Sequence, residues 1–391
     1  MARFGPIPTF RALVALIAVA TAVGIGILWP GDVDADLGET VAVKSESAEV
    51  LKVEEVPCQG FDTDSCKTVT FRLDTGPDAG KRATFSQGLG QGLEPDVDVG
   101  DRVRVAENVT APGAAPVAGQ QYTLNDFERR RPMLLLALIF AVVVVLFGRL
   151  RGALSLVGLA VSLVVVLVFM VPAIQAGTSP LAVAVLGALA IMLATILLAH
   201  GSGPKSLAAI VGTTGSLVLT VTLAVLFTQL THLTGLSSEE GAYLQVSGEL
   251  SLEGLLLAGM VVGALGVLDD VTISQASTVL ALRAANPAQG FKELFGRAMD
   301  VGRDHVSATV NTLVLAYVGA SLPVLLIFQS STLGFGEAIN LELIAKEIVA
   351  TLVGSIGLIA AVPITTALAA VMARRIPASE LNAEEHLGHA H

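Results

Sequence analysis

The chain has 391 residues and a formal net charge of −11, with 53% hydrophobic and only 15% charged residues. Its mean hydropathy of +0.73 lies far above the range of ordinary soluble domains. These values exclude a soluble globular protein. They predict a polytopic membrane protein whose main partner is the lipid bilayer.

Eight apolar runs are long enough to cross the hydrocarbon layer, which needs about 17 to 25 residues of helix. They predict an all-α membrane helix bundle of about eight spans, one in residues 1–30 and seven in residues 122–375. The first run follows Arg3 and Arg11 and precedes no small-x-small cleavage site, which favours an uncleaved signal anchor over a cleaved signal peptide. The runs lie near residues 12–29, 132–147, 152–174, 180–199, 207–230, 252–268, 306–328 and 347–372.

The distribution of basic residues predicts that both termini are cytoplasmic. With the N-terminus inside, the opposite short loops hold almost only Lys346, and this asymmetry is the positive-inside pattern. Arg129, Arg130 and Arg131 would lie outside, at the end of a long translocated segment, and long translocated segments escape the rule. The basic residues of the cytoplasmic loops are Arg149, Arg151, Lys205, Arg283, Lys292, Arg297, Arg303, Arg374 and Arg375.

Residues 31–121 form the one large polar segment and are predicted to be an extracytoplasmic β-rich domain with a linker at residues 110–121. Polar and apolar residues alternate at residues 67–73 and 101–105, which indicates half-buried strands. Five short strands suggest a small barrel-like domain of oligomer-binding (OB) type. Residues 31–128 hold 19 acidic and 8 basic side chains, so nucleic acid is not an expected partner. The strands are expected near residues 40–44, 49–56, 67–73, 82–86 and 101–109.

The only two cysteines, Cys58 and Cys66, lie in this segment, and two cysteines in a translocated domain most simply form one disulfide. A metal site with two ligands is the weaker alternative. The sequence contains no complete set of metal ligands, no Gly-x-x-x-x-Gly-Lys-Ser/Thr loop and no evident pair of nucleophile and base. We therefore expect no cofactor, no resident metal and no enzymatic activity.

Residues 271–305 are predicted to be a cytoplasmic segment with an amphipathic helix at the membrane face, because apolar and basic residues alternate there. Asn286 and Pro287 are expected to interrupt this helix. A connector packed beneath the bundle is the alternative. Residues 376–391 are acidic and are expected to be a disordered cytoplasmic tail.

Asp269 and Asp270 stand side by side at the predicted end of the sixth span, and two adjacent carboxylates are costly to place at a membrane boundary. As neighbours in a helix they point about 100° apart, so at most one is expected to face the bundle. A desolvated carboxylate would suit a proton relay, and hydrated carboxylates would suit cation binding. A solvated helix end, with Thr272 and Ser274 beginning the next helix, is the structural alternative.

Further polar residues accompany this pair in the last three spans. Arg303 and Asp304 enter the seventh span from the cytoplasmic side, and an ion pair between Arg303 and Asp270 is the simplest structural role there. Asn311 and Thr312 lie about two turns deeper, where they would either bond between helices or line a polar path. The candidate residues of a polar path are Asp269, Asp270, Thr272, Ser274, Gln275, Ser277, Arg303, Asp304, Asn311, Thr312 and Glu347.

Five ordered blocks stand out in this part of the chain, at residues 263–278, 301–305, 311–319, 322–326 and 347–357. Together they resemble the YibE/F-like family of bacterial multi-pass membrane proteins. The resemblance implies a location in the bacterial cell membrane and a function often taken to be transport. Ala281 stands where the family would have a glutamate, so no role of that carboxylate is carried over.

The sequence therefore predicts a permease that moves a small solute or ion, with proton coupling through the Asp pair. The alternative is a non-transport scaffold or sensor whose extracytoplasmic β-domain binds an envelope partner. Transport requires Asp269 and Asp270, whereas a scaffold does not. The sequence leaves open whether the chain forms a homo-oligomer.

Overall fold

The computed structural model describes residues 6–31, 44–57, 65–88, 95–108, 121–237, 241, 250–330 and 333–376. The chain divides into a helical unit, Met1–Val33 with Val144–His391, and a sheet unit, Asp34–Val143. The predicted tail lies outside the described residues except for Ile376.

The sheet unit contains five antiparallel strands in the spatial order β3-β2-β1-β4-β5. Side chains alternate along the strands, so that Val50, Phe71 and Val103 are buried on one face. The Phe71 ring lies 5.7 Å from the Phe85 ring and 5.5 Å from the Tyr122 ring, measured between centroids, so the core joins three strands. The strands are β1 (Ser45–Pro57), β2 (Ser65–Leu73), β3 (Arg82–Gly88), β4 (Arg102–Glu107) and β5 (Tyr122–Phe127).

The predicted barrel-like domain is a five-stranded antiparallel sheet that does not close into a barrel. Within the described part of the chain no ladder joins β3 to β5, so both remain edge strands and the oligomer-binding type is not confirmed. β5 was not predicted, and its residues were assigned to the membrane domain. Its six residues are too short for a clear alternation, and the adjoining residues 129–131 are all arginine.

Several predictions for this unit fall on residues that the structure does not describe. These are Cys58, the strand at residues 40–44 and all but the last residue of the linker at residues 110–121. Cys66 is buried near the start of β2. The disulfide between Cys58 and Cys66 stays a prediction.

Ten α-helices and one π-helical segment are described, and α2 begins within the sheet unit. In chain order they are α1 (Pro6–Ile27), α2 (Arg130–Val164), the π-helical segment (Val165–Met170), α3 (Val171–Gln175), α4 (Pro180–His200), α5 (Pro204–Leu230), α6 (Leu252–Ala285), α7 (Phe291–Ala320), α8 (Leu322–Gln329), α9 (Phe335–Asn340) and α10 (Glu342–Ala373).

The described residues contain six helical stretches that are long and apolar enough to cross a membrane, or seven if the bent pair of α7 and α8 is one span. The predicted count of eight is therefore not confirmed. The difference arises at residues 130–175, which form one continuous stretch of 46 residues and contain the second and third predicted runs. Within this stretch Arg149 has non-helical dihedral angles, φ 52° and ψ −133°.

The centre of the helical unit is formed by α5, α6 and α10, which pack against one another. Small residues allow the close approach of α5 to α10. A Cβ atom at Gly212 would lie 2.2 Å from Thr365 Oγ1, and one at Gly357 would lie 2.0 Å from Thr220 Oγ1. Close contact through small residues is the usual way in which helices pack inside membranes.

α6 is continuous from Leu252 to Ala285, and Asp269 and Asp270 lie within it. The alternative in which a new helix begins at Thr272 is therefore wrong. From Leu252 to Asp269 the helix rises about 26 Å, slightly less than the roughly 30 Å of hydrocarbon. A helix that enters the hydrocarbon layer at Leu252 thus places the pair near the opposite boundary.

The predicted break at Asn286 and Pro287 is present, because α6 ends at Ala285 and α7 begins at Phe291. Residues 271–285 continue α6 instead of forming a separate segment. Of residues 271–305, only residues 291–305 therefore belong to a new helix, which is α7.

Candidate functional site

Asp269 and Asp270 point to different sides of α6. Asp269 is half-buried, and its Oδ2 accepts a hydrogen bond of 2.9 Å from Thr195 Oγ1 of α4. Its Oδ1 is buried and has no partner among the described residues. Asp270 is exposed. One carboxylate thus faces a neighbouring helix, and the other does not.

The hydroxyl of Thr195 lies near three acceptors. Besides Asp269 Oδ2, it is 2.9 Å from the Ile191 carbonyl oxygen and 3.1 Å from that of Met192. A hydroxyl has one hydrogen and can also accept. It can therefore donate to an ionised Asp269, or it can donate to Ile191 and accept from a protonated Asp269. The contact fits both protonation states of this carboxyl group.

Two adjoining cavities run along this part of α6 and share His200, Asp270 and Ile273. The α4 cavity, of about 340 Å³, is lined by residues of α2, α4 and α6. The α7 cavity, of about 400 Å³, is lined by His200, α6 and α7. No described lysine or arginine lines either cavity. Their polar lining residues are Ser155, Ser162, Thr195, His200, Asp269, Asp270, Ser274, Gln275, Ser277, Thr278 and His305.

Two buried polar contacts join α6 to the surrounding helices. Thr272 Oγ1 lies 2.6 Å from Thr213 Oγ1 of α5. Gln275 is only 3% exposed, and its Nε2 donates to Thr366 Oγ1 at 2.7 Å and to the Ala298 carbonyl at 2.8 Å. A buried amide needs such partners. Thr272 and Gln275 therefore connect α6 with α5, α7 and α10.

Four predicted residues lie on the exposed surface of α7 and line neither cavity. The ion pair expected between Arg303 and Asp270 is not formed. Instead, Arg303 Nη1 contacts Asp300 Oδ1 at 2.7 Å, one turn earlier on the same helix. The four residues are Arg303, Asp304, Asn311 and Thr312.

Glu347 lies apart from the cavities. It is half-buried near the start of α10, whereas Thr366, which bonds to Gln275, lies about 28 Å further along that helix. Its backbone carbonyl accepts a hydrogen bond of 2.6 Å from Thr351 Oγ1. Glu347 therefore belongs to a different level of the bundle.

The structure brings together five predicted residues, namely Asp269, Asp270, Ser274, Gln275 and Ser277. Thr195, His200 and His305 line the same cavities and were not predicted. Thr195 is one hydroxyl within an apolar run and His200 ends that run, and such residues are too common there to signal a site. In the described ranges no group of three or more His, Cys, Asp or Glu residues is arranged to hold a metal ion.

A comparison with known families matches residues 136–375, more than half of the chain, to the family described as YibE/F-like protein. The matched residues include both cavities and every residue predicted to form a polar path. No curated protein and no solved structure matches the chain.

Proposed function

The chain belongs to the YibE/F-like protein family, and we propose that it is a bacterial cell-membrane permease that moves a small solute or ion with proton coupling at Asp269. The observation that carries the proposal is the half-buried Asp269 carboxylate, which is bonded to Thr195 in the wall of the α4 cavity. Ionisable groups inside membrane helices are rare, and they commonly mark ion paths and proton relays.

The cavity linings favour a cation or a neutral solute over an anion. Asp269 and Asp270 would repel an anion, and no described lysine or arginine offsets them in the linings. The hydroxyl, amide and imidazole groups of the linings can replace part of the hydration shell of a small ion. The site therefore suits a small cation, with Asp270 shared between the two cavities.

We propose eight spans for this permease, with both termini in the cytoplasm. As one straight helix, the 46 residues at 130–175 would extend about 69 Å, more than twice the hydrocarbon thickness. A Cβ atom at Gly152 would lie 2.2 Å from the Val144 carbonyl oxygen, although residues eight apart in a straight helix are about 12 Å apart. This close approach supports a reversal at Arg149 and two spans in this stretch.

Transport can be tested by measuring proton flux into proteoliposomes that contain the full-length protein and the pH-sensitive dye pyranine. We expect an imposed gradient of Na⁺, K⁺ or Mg²⁺ to drive a proton flux above that of empty liposomes. Asp269→Asn keeps the shape of the side chain but cannot carry the proton, so it should lower this flux at least tenfold. Asp304→Asn, an exposed carboxylate that lines neither cavity, is the matched control and should leave the flux unchanged.

Two results would contradict the proposal. One is a wild-type flux no larger than that of empty liposomes with any of the three cations. The other is equal flux in Asp269→Asn, Asp304→Asn and the wild type.

The scaffold or sensor function is the second candidate. It is favoured by the exposed positions of Arg303, Asp304, Asn311 and Thr312, which do not gather around the cavities. A scaffold should tolerate Asp269→Asn in a cellular complementation assay, whereas a permease should not. The combination of full complementation with no flux would establish the second candidate.

A further inference from the structure

Arginine side chains gather in the sheet unit at the point where β5 leads into α2. Arg102 and Arg104 lie on β4, and Arg130 and Arg131 begin α2. The backbone N–H of Glu128 donates to the Arg102 carbonyl at 2.8 Å, which holds the start of β4 beside the end of β5. A basic cluster therefore lies in the sheet unit, which is otherwise acidic.

Two arginines of this cluster form ion pairs with Glu128, whose side chain is only 7% exposed. Arg130 contacts the Glu128 carboxylate through Nε at 2.7 Å and Nη2 at 2.5 Å, and Arg104 Nη1 lies 3.2 Å from it. The hydrogen bond from Arg130 is the main cause that lowers the Glu128 pKa to about 2. By contrast, Arg102 and Arg131 form no ion pair within the described part of the chain.

These two arginines line one cavity of about 580 Å³, together with Ser47, Asp74, Thr75, Glu128 and Arg130. The Asp74 carboxylate is offset by Arg72, whose Nε lies 3.9 Å away. Thr75 Oγ1 accepts a hydrogen bond of 2.9 Å from the Ser47 backbone, so its own hydrogen is left to donate. The cavity thus offers two guanidinium groups and a hydroxyl donor to an anion.

Arg131 lines this cavity and immediately precedes an uncharged helical stretch, which places the cavity near the membrane surface. Residues 133–147 carry no charge, and Met133 and Leu134 are largely exposed, as lipid-facing residues are. Arg131 precedes Met133 by about 3 Å along the helix axis. A helix that enters the hydrocarbon layer at Met133 therefore places Arg131 at the level of the lipid phosphates, whichever way the chain crosses.

We propose that this cavity binds the phosphate group of an anionic phospholipid through Arg102, Arg131 and Thr75. The planar guanidinium group of arginine matches phosphate oxygens in a two-pronged contact. A lipid is favoured over free phosphate because the membrane surface holds phosphate groups at high local concentration beside the site. Binding of a lipid also accounts for three consecutive arginines on the side of the membrane where the loop charges predict few.

Native mass spectrometry of the full-length protein in detergent can test the proposal by measuring binding of phosphatidylglycerol and phosphatidylcholine. We expect tighter binding of phosphatidylglycerol. The double variant Arg102→Gln/Arg131→Gln should lose about 30-fold in affinity for phosphatidylglycerol, the effect of removing two cations from beside a lipid phosphate. The control Lys44→Gln/Arg82→Gln removes two exposed charges from the same unit and should bind as the wild type does.

Three results would overturn the proposal. They are equal binding of the two lipids, an equal loss in both double variants, and full competition by millimolar inorganic phosphate, which would identify a site for the free ion. If the double variant does not fold, Arg131→Gln alone serves, because this residue is exposed and outside the sheet. We expect it to lose about fivefold in affinity, and unchanged affinity would equally overturn the proposal.

Discussion

Gly212 lies where α5 contacts α10, and replacing it with alanine should force the two helices apart. The new Cβ atom would lie 2.2 Å from Thr365 Oγ1, 3.1 Å from its Cβ and 3.3 Å from its Cα. Ordinary carbon contacts are about 3.5–4.0 Å. Rotation of the threonine side chain can move the hydroxyl, but it cannot move the Cα atom. Part of the overlap must therefore be relieved by a shift of the backbone.

The magnitude follows from comparison with Gly215, three residues further along α5. A Cβ atom at Gly215 would meet only Ile364 Cγ2, at 3.9 Å, which is an ordinary contact. Both substitutions gain the same preference of alanine over glycine in a helix, about 1 kcal/mol. Only Gly212→Ala also incurs the cost of overpacking, about 1–3 kcal/mol. The free energies of unfolding of the two variants should therefore differ by about 1–3 kcal/mol.

Unfolding in mixed micelles of dodecyl maltoside and sodium dodecyl sulfate measures this difference. Trp29 is the only tryptophan, and its ring stacks on that of Phe169 at 6.0 Å, so its fluorescence reports on the helical unit. Gly212→Ala should unfold at a lower fraction of sodium dodecyl sulfate than Gly215→Ala. Equal midpoints for the two variants would refute the reasoning, because they would mean that α5 and α10 do not need the small residue.

Two further predictions concern other acidic residues. Glu342 accepts three hydrogen bonds of 2.6–2.8 Å from the loop that follows α5. The variant Glu342→Ala should therefore speed hydrogen exchange of the Gly235 amide about tenfold or more. The control Glu337→Ala should leave this exchange rate unchanged. The Glu128 pKa is lowered from 4.5 to about 2, so its stabilising contribution is complete above pH 4.5 and is lost as the pH falls towards 2. Hydrogen exchange of β4 amides should show this loss in the wild type, and a Glu128→Gln variant with the same acid dependence would contradict the role of Glu128.

Much of the helical unit could be predicted because hydropathy is a local property of the chain. The apolar runs at residues 180–199 and 207–230 correspond closely to α4 and α5. The run at residues 252–268 is shorter than α6, which continues to Ala285, because the polar residues after the run were taken to face water. In the structure Thr272 and Gln275 face other helices, where their hydrogen bonds are satisfied. The packing of segments that are distant in the chain determines which polar side chains find hydrogen-bond partners on other helices.

The candidate site could be predicted only in part. Two adjacent carboxylates in an apolar region are a local signal, and it identified Asp269 and Asp270. Their surroundings are not local, because Thr195 is 74 residues away in the chain. Asn311 was predicted either to bond to a neighbouring helix or to line a polar path, but it lies on the exposed face of α7. The sequence of one helix does not determine which of its faces a neighbouring helix will cover.

The contacts of the Asp pair bear on whether it is a structural clasp or, as proposed, a group that handles an ion or a proton. A clasp requires a cation to compensate each buried carboxylate, since an unpaired buried charge is costly. Among the described residues neither Asp269 nor Asp270 forms an ion pair, and the one side chain that bonds to Asp269 is a neutral hydroxyl. Asn at position 269 would keep that hydrogen bond without the charge, so stability alone gives no reason for a carboxylate there. The proposed permease supplies such a reason, since Asp269 lines the α4 cavity, through which a cation or proton would reach it.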